Sequence, residues 1–142
     1  MSSLLRQKLF AAIDNLETSK SPKTGTFALF LPANELHEIG ILYLAYVLKE
    51  RGDHVFYLGQ SLPKEYLVDL IHHQKVNYLV SAFTTHPKQG KLDAYLDDLD
   101  VLIGDTGVKA CLTGYQFQAT QLSRSFKNIS IYSTLKDLSQ SI

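Results

Sequence analysis

A histidine stands two residues after a glutamate and three residues before a glycine in the segment Glu35-Leu36-His37-Glu38-Ile39-Gly40. A histidine at a junction between a loop and a helix can present one ring nitrogen to a metal ion, while a carboxylate two residues earlier holds the other nitrogen and fixes the tautomer. Gly40 would let the helix backbone come close to a bulky ligand. The alternative, which is the default for the motif on its own, is that His37 is a capping or solvent-exposed side chain beside two glutamates.

Small and hydroxyl-bearing residues stand after two other apolar runs of the chain. Ser81 and Thr84 follow one run, and Thr113, Gly114 and Tyr115 follow another. Hydroxyl groups and a glycine suit a ligand that approaches the backbone closely and has polar edges. Ordinary hydroxyl groups at the ends of strands are the alternative interpretation of Ser81 and Thr84.

Several other kinds of site are missing from the sequence. It contains neither the G-x-G-x-x-G fingerprint of dinucleotide binding nor the G-x-x-x-x-G-K-[ST] phosphate loop, and it lacks the acidic pocket of a response-regulator receiver. No second histidine lies at metal-ligand spacing from His37, so a metal-dependent hydrolase is a poor alternative. We find no nucleophile–base pair, and we expect no catalysis by this chain alone. The single cysteine, Cys111, excludes a disulfide framework and a thiolate cluster.

The composition is that of a globular protein. The 142 residues are 45% apolar, and the 14 Lys and Arg balance the 14 Asp and Glu. This length suits one domain with its own core. A net charge of zero argues against a stand-alone nucleic-acid-binding protein, which needs an excess of basic residues. We recognise neither a bilayer-spanning apolar run nor a signal peptide, so we expect a cytoplasmic protein.

Short apolar runs alternate with longer segments of helical periodicity after residue 25. The runs predict five strands, at 26–31, 54–58, 76–81, 108–112 and 129–132. The segments between and after them predict helices at 37–51, 63–71, 92–103, 122–126 and 135–142. This alternation predicts an α/β fold, a flavodoxin-like (Rossmann-like) doubly wound parallel sheet with strand order 2-1-3-4-5.

An extra helix is predicted at 4–18, ahead of the sheet, and a polar linker at 19–25 separates the two. We therefore expect an N-terminal helix and linker at 1–24 and one ligand-binding domain at 25–142. Ligands of open α/β sheets bind outside the carboxyl ends of the strands, near the point where strand order reverses. The loops after the first, third and fourth strands would meet there and bring together the residues singled out above.

The order of several short motifs resembles that of cobalamin (vitamin B12)-binding domains. These motifs are Glu35-x-His37-x-x-Gly40, Gly52, Tyr57-Leu58-Gly59 and Leu62-Pro63. The sequence is most similar to the C-terminal domain of MerR-type, cobalamin-dependent transcriptional regulators of the CarH kind. Those regulators have E-x-H-x-x-G where cobalamin-dependent methyltransferases and mutases have D-x-H-x-x-G. The resemblance covers residues 25–142, and it implies that the N-terminal helix and linker at 1–24 are a remnant of the helical cap of these regulators.

Two later motifs of the family are matched only in part. Its S-x-L or S-x-T stretch corresponds to Ser81-Ala82-Phe83-Thr84, and its Gly-Gly pair to Thr113-Gly114. The resemblance implies that adenosylcobalamin or methylcobalamin binds with its dimethylbenzimidazole tail detached from cobalt. His37 would be the lower axial cobalt ligand, oriented by Glu35.

The resemblance also implies a slot for the tail. The residues expected around this slot and the corrin are Gly40, Ser81, Thr84, Thr113, Gly114 and Tyr115. The side chain of Thr113 would project into the path of the tail, where the family has a glycine.

The resemblance implies a cobalamin-binding sensor domain of a MerR-type regulator. The expected partners are cobalamin, a second copy of the chain, and DNA only through a domain absent from this chain. One alternative is a corrinoid carrier protein of a methyltransferase system. The other is an interaction or dimerisation module that keeps the fold without the ligand.

Overall fold

The computed structural model describes residues 2–16 and 25–142. The strands are β1 (Thr26–Pro32), β2 (His54–Leu62), β3 (Tyr78–Ala82), β4 (Lys109–Thr113) and β5 (Ile129–Ile131). The helices are α1 (Ser2–Asp14), α2 (Ile39–Glu50), α3 (Glu65–His73), α4 (Leu92–Ile103), α5 (Tyr115–Ala119) and α6 (Leu135–Ser141), and a short 3₁₀ turn, Gln89–Lys91, precedes α4.

The strands form one parallel sheet in the order β2-β1-β3-β4-β5. The predicted flavodoxin-like fold is confirmed. β1 lies between β2 and β3, and its residues from Phe27 to Pro32 are all buried. A strand covered by helices on both faces has no polar side, which is why its sequence is a continuous apolar run.

Each face of the sheet is packed against a different pair of helices. Ala28, Phe30 and Leu79 face α3 and α4 in one apolar cluster. Phe27, Leu29 and Val80 alternate with them and face α2 and α6 in the other cluster. The reversal of strand order lies between β1 and β3, so the loops after these two strands meet at one edge of the sheet.

The predicted helix at 122–126 is wrong. The short helix of this region is α5, which begins directly after Gly114. Residues 121–128 are not helical, and carboxylates of α4 accept hydrogen bonds from two of their amides. Asp93 accepts a hydrogen bond from the Ser123 amide at 3.3 Å, and Asp100 accepts one from the Asn128 amide at 3.1 Å. The apolar Leu122 and Phe126 contribute to the core from this irregular segment.

One strand is longer than the sequence predicts, and the structure describes part of the leading helix. β2 continues past Gly59 to Leu62, with a register shift against β1, whereas we expected it to end at Leu58. The helix predicted at 4–18 is described as Ser2–Asp14, and most of the predicted linker at 19–25 lies outside the described residues. None of the described helices has both the length and the apolar character that crossing a membrane requires.

The helix α1 packs beside α2 and β2. The Phe10 ring meets the Tyr57 ring edge to face, with 5.6 Å between centroids. Lys49 Nζ donates a hydrogen bond to the carbonyl oxygen of Ile13 at 2.9 Å. These contacts bring the first turns of α1 near the carboxyl edge of the sheet.

Candidate functional site

A tight turn after β1 places Glu35 under the carboxyl edge of the sheet. The Glu35 amide donates to the Pro32 carbonyl oxygen at 2.9 Å, and the Ser61 amide donates to the Glu35 carbonyl oxygen at 3.1 Å. Asn34 adopts a left-handed conformation with φ of 70°, which asparagine tolerates better than most residues. The turn leaves the Glu35 side chain with no exposed surface.

Main-chain amides from the loop after β3 surround the Glu35 carboxylate. Its Oε1 accepts hydrogen bonds from the amides of Thr84 at 2.7 Å, Thr85 at 2.6 Å and His86 at 3.1 Å. Its Oε2 accepts from the His37 amide and from Thr85 Oγ1, both at 3.2 Å. The carboxylate therefore ties the loop after β1 to the loop after β3.

This environment keeps Glu35 ionised. Burial on its own acts to raise the pKa of Glu35. The hydrogen bonds from the Thr85 amide, the His37 ring, the His86 amide and the His37 amide oppose burial and lower the pKa to about 2, from an ordinary value of 4.5. At neutral pH the group is a carboxylate that can only accept hydrogen bonds.

The carboxylate decides the tautomer of His37. His37 Nδ1 lies 2.8 Å from Glu35 Oε2, and because the carboxylate can only accept, Nδ1 carries the proton. In this tautomer, Nε2 has a lone pair that can bind a metal ion. The His37 side chain is 63% exposed, so the ring stands at the surface while its orienting group is buried.

Glu38, one residue after the histidine, connects this edge to α1. The Glu38 residue is 4% exposed. Its carboxylate accepts hydrogen bonds from Arg6 Nε and the Tyr57 hydroxyl. Arg6 also lies over the Phe10 ring, 4.9 Å from its centroid. The first turns of α1 are thus attached next to His37 through side chains.

A cavity of about 590 Å³ opens beside His37. Its lining residues include Gly40, Ala82, Thr84 and Leu135, of which Ala82 and Leu135 belong to the apolar cluster on the side of α2 and α6. A Cβ atom at Gly40 would lie 2.7 Å from Leu135 Cδ1, so a larger residue would press into this side of the cavity. Ser3 and Arg6 of α1 complete the rim.

The residues expected in the tail slot are not all brought to this cavity. Thr84 lines it, but Ser81 is completely buried, and its hydroxyl donates to the Phe30 carbonyl oxygen at 2.5 Å. The neighbouring Ala82 faces the cavity instead. Thr113 is buried at the end of β4, where its carbonyl oxygen accepts from the Phe83 amide at 2.8 Å.

Gly114 and Tyr115 are not among the residues that line the His37 cavity. Gly114 has a φ of +125°, and an added Cβ atom would lie 2.5 Å from the Phe83 nitrogen, so the glycine is needed for close contact between two loops. Tyr115 is 62% exposed and lines a separate hollow with Thr84 and Thr85.

Sequence reasoning missed the amides of Thr84, Thr85 and His86, as well as Arg6 and Leu135. Amides give no signal in a side-chain pattern, and the residues from α1 and α6 are distant in the sequence. Ala82 could have been found, because alternation along β3 puts it on the opposite face from Ser81.

A metal held here would have one protein ligand. Among residues 2–16 and 25–142, no group of three or more His, Cys, Asp or Glu side chains is placed to hold a metal ion. An exposed, oriented histidine without companion donors fits a metal whose other ligands come with it, as in a macrocycle. The donor set and the adjoining cavity fit a corrinoid at this position.

No protein-family model matches the sequence, and no curated protein matches it. Solved structures do match. The monomethylamine corrinoid protein of Methanosarcina barkeri superposes with a TM-score of 0.68 and 15% identity, over 99% of this chain and 65% of that one. A novel cobalamin-binding protein from Desulfitobacterium hafniense DCB-2 gives a TM-score of 0.61 and 16% identity, over 84% of this chain and 57% of that one.

The methanol:cobalamin methyltransferase complex MtaBC of Methanosarcina barkeri also contains a similar chain, with a TM-score of 0.65 and 17% identity. The match covers 85% of this chain and 46% of that one. This chain therefore spans between about half and two thirds of the length of the structures it matches. At these identities the likeness concerns the fold alone, and the chain has the flavodoxin-like fold found in solved corrinoid and cobalamin-binding proteins.

Proposed function

We propose that this protein binds cobalamin, with His37 as the lower axial cobalt ligand and the dimethylbenzimidazole tail detached. The observation that carries the proposal is the pair formed by His37 and Glu35, in which a buried carboxylate fixes an exposed imidazole at the carboxyl edge of the sheet. The likeness to solved corrinoid-protein folds supports the same conclusion.

Different residues of the chain would bind different parts of cobalamin. His37 would donate its Nε2 lone pair, and Glu35 would hold the ring through Nδ1. The cavity lined by Gly40, Ala82, Thr84 and Leu135 would receive the detached tail. When bound, cobalamin supplies a cobalt centre that can carry an alkyl group, and catalysis would remain with a partner protein.

We favour the role of a corrinoid carrier in methyl transfer over that of a transcriptional sensor. One similar structure is a corrinoid protein and another is part of a methyltransferase complex, which supports the carrier. The sensor role, derived from the Glu35-x-His37-x-x-Gly40 motif, remains a prediction from the sequence. Co-purification of the cobalamin-loaded protein with the methyltransferase, or with the DNA-binding protein, encoded beside its gene would separate the two roles.

The axial ligand can be tested by paramagnetic resonance of the protein loaded with cob(II)alamin. An axial ¹⁴N nucleus splits each cobalt line into a triplet, and labelling the protein's histidines with ¹⁵N should convert it to a doublet, because the nitrogen comes from His37. The His37→Ala variant should lose the ¹⁵N-dependent change. His72→Ala removes an exposed histidine of α3 and should behave like the parent protein.

Two results would overturn the proposal. One is the absence of any cobalamin absorbance shift at protein concentrations of about 1 mM, where even weak ligands bind. Such a result would favour the interaction module that has kept the fold without the ligand. The other is a cobalamin complex whose resonance spectrum is the same with ¹⁴N and ¹⁵N histidine, because the axial nitrogen would then belong to the cobalamin tail.

A further inference from the structure

Gln116, in α5, has a buried side chain that the proposed cobalamin site does not use. The residue is 6% exposed. Its Nε2 donates hydrogen bonds to the main-chain carbonyl oxygens of Thr85 at 3.1 Å and Pro87 at 2.8 Å. Its main-chain amide donates to the Phe83 carbonyl oxygen at 3.0 Å. Gln116 therefore holds the loop after β3 at three places.

Two peptide units of this loop lie between Gln116 and the carboxylate of Glu35. In unit 83–84, the carbonyl oxygen accepts from the Gln116 main chain, and the amide donates to Glu35 Oε1 at 2.7 Å. In unit 85–86, the carbonyl oxygen accepts from Gln116 Nε2, and the amide donates to the same Oε1 at 3.1 Å. Because the C=O and N–H of a planar trans peptide point in opposite directions, fixing each carbonyl also fixes the direction of its amide.

These hydrogen bonds form a continuous chain from α5 to the histidine. Gln116 Nε2 donates to the carbonyl of unit 85–86, and the amide of that unit donates to Glu35. Glu35 Oε2 in turn accepts from His37 Nδ1 at 2.8 Å. A donor on a carbonyl polarises the peptide and strengthens the hydrogen bond that its N–H makes. Loss of the Gln116 donors would therefore weaken the amides that hold Glu35.

The close approach of Gln116 to the loop depends on Gly114. Gly114 has a φ of +125°, and an added Cβ atom would lie 2.3 Å from the Phe83 oxygen, the atom to which the Gln116 amide donates. A side chain at this position would push the start of α5 away from the loop. The glycine thus lets the buried amide of Gln116 reach the peptide units that face Glu35.

We propose that Gln116 is a positioning residue for the histidine ligand. Through the peptide units 83–84 and 85–86 it directs the Glu35 carboxylate, and Glu35 holds the His37 ring in the orientation that cobalt binding needs. Gln116 does not line the His37 cavity, so it acts through the loop and not by contact with the ligand. The cobalt part of this inference rests on the proposed function, whereas the effect on the His37 ring concerns the protein without cobalamin.

The Gln116→Met variant tests the inference, because methionine keeps the approximate size of the side chain and removes both N–H donors of its amide. At about pH 8.5, where a histidine ring is neutral, long-range ¹H–¹⁵N spectra of the cobalamin-free parent protein should show the His37 proton on Nδ1. In the variant, the signals of the two ring nitrogens should move toward each other, because the tautomer protonated on Nε2 becomes populated. Unchanged His37 signals in a folded variant would overturn the inference.

The same variant should bind hydroxocobalamin about tenfold more weakly than the parent protein in an absorbance titration, the lower end of the range for groups that orient a metal-bound histidine. If the parent protein does not bind cobalamin, the proposed function fails, while the His37 spectra still decide whether Gln116 positions the ring. If the variant has altered His37 spectra but the affinity of the parent protein, the positioning of a cobalt ligand is refuted and the proposed function stands.

Asn128→Leu is a matched control, because it also replaces a buried amide side chain by an apolar one of similar size. Asn128 is 8% exposed, and its Nδ2 donates to the Gly104 carbonyl oxygen at 3.2 Å. Its own carbonyl oxygen accepts from the Ala110 amide near the amino end of β4, whereas the site lies at the carboxyl edge of the sheet. The control should leave the His37 spectra and the cobalamin affinity unchanged. Equal changes in the two variants would mean that a general loss of stability is responsible, and the inference would fail.

A measurement on the parent protein decides the question if Gln116→Met does not fold. Because coupling between two sites is reciprocal, cobalamin that fixes His37 should also restrain the groups that position the ring. Exchange of the Gln116 Nε2 hydrogens with water should slow when hydroxocobalamin binds. Gln118, an exposed residue of the same helix whose Nε2 donates to the Ser133 carbonyl oxygen at 3.2 Å, should show no such change. Equal slowing at both glutamines, or none at Gln116 in the loaded protein, would contradict the inference.

Discussion

Glu35 and Glu38 are both buried and stand on either side of His37, yet they are held by different kinds of partner. Glu35 accepts hydrogen bonds mainly from main-chain amides of the loop after β3, together with the His37 ring. Glu38 accepts from two side chains, those of Arg6 in α1 and Tyr57 in β2. One glutamate is fixed by the sheet edge, and the other is fixed by an attached helix.

The histidine and the helix α1 are therefore positioned independently. Amides cannot be removed by changing a side chain, so the Glu35 contacts exist wherever the strand order brings the two loops together. The contacts of Glu38 depend on Arg6, which is 45% exposed and can be removed alone. Breaking the Glu35 contacts should therefore damage the fold and the histidine together, whereas breaking the Glu38 contacts should loosen α1 only.

The largest effect is expected from Glu35→Ala. The substitution leaves the amides of Thr84, Thr85 and His86 without their acceptor at a buried position, and each unsatisfied amide costs about 1–3 kcal/mol. We expect a loss of about 3 kcal/mol or more in the free energy of unfolding, measured in urea. Glu50→Ala, at an exposed position of α2, should change it by about 0.5 kcal/mol or less. Equal losses for the two variants would show that the buried amides do not depend on the Glu35 carboxylate.

A smaller effect of the same contacts should appear at low pH. The pKa of Glu35 is about 2 in the folded protein and 4.5 ordinarily, so the unfolded chain binds more protons between these values. The contribution of Glu35 to stability is complete above pH 4.5 and is lost as the pH falls through 2. Glu35→Gln removes the titrating group and should flatten the dependence of unfolding free energy on pH in this window. An unchanged slope would show that Glu35 is not held as an ion.

The local parts of the site could be predicted from the sequence, and the long-range parts could not. The pairing of Glu35 with His37 depends on residues two positions apart, and the strand order follows from the alternation of strands and helices. The amides that hold Glu35 come from 49 to 51 residues further along the chain, and main-chain groups have no sequence signature.

The same limit explains the wrong helix prediction at 122–126 and the buried position of Ser81. Leu122 and Phe126 have helical spacing, but tertiary contacts with Asp93 and Asp100 satisfy neighbouring amides, and the segment is irregular. The hydroxyl of Ser81 predicts a place in the tail slot, and this stays a prediction; the pleat of β3 directs Ala82 to the His37 cavity, while the Ser81 hydroxyl donates to the Phe30 carbonyl oxygen. In both cases the residue types support the prediction, but contacts with neighbouring elements determine the local conformation and the face on which each side chain lies.

The smallest effect is expected from Arg6→Ala. The substitution removes one partner of the Glu38 carboxylate but leaves the Tyr57 hydroxyl and the contact between Phe10 and Tyr57. Because Arg6 is 45% exposed and solvent screens the pair, we expect a loss of about 1 kcal/mol or less. Amide hydrogen exchange should become faster in α1, whereas long-range ¹H–¹⁵N spectra should still show the proton of His37 on Nδ1. A change in the His37 tautomer in this variant would mean that the two glutamates act as one unit, and that α1 helps to position the histidine.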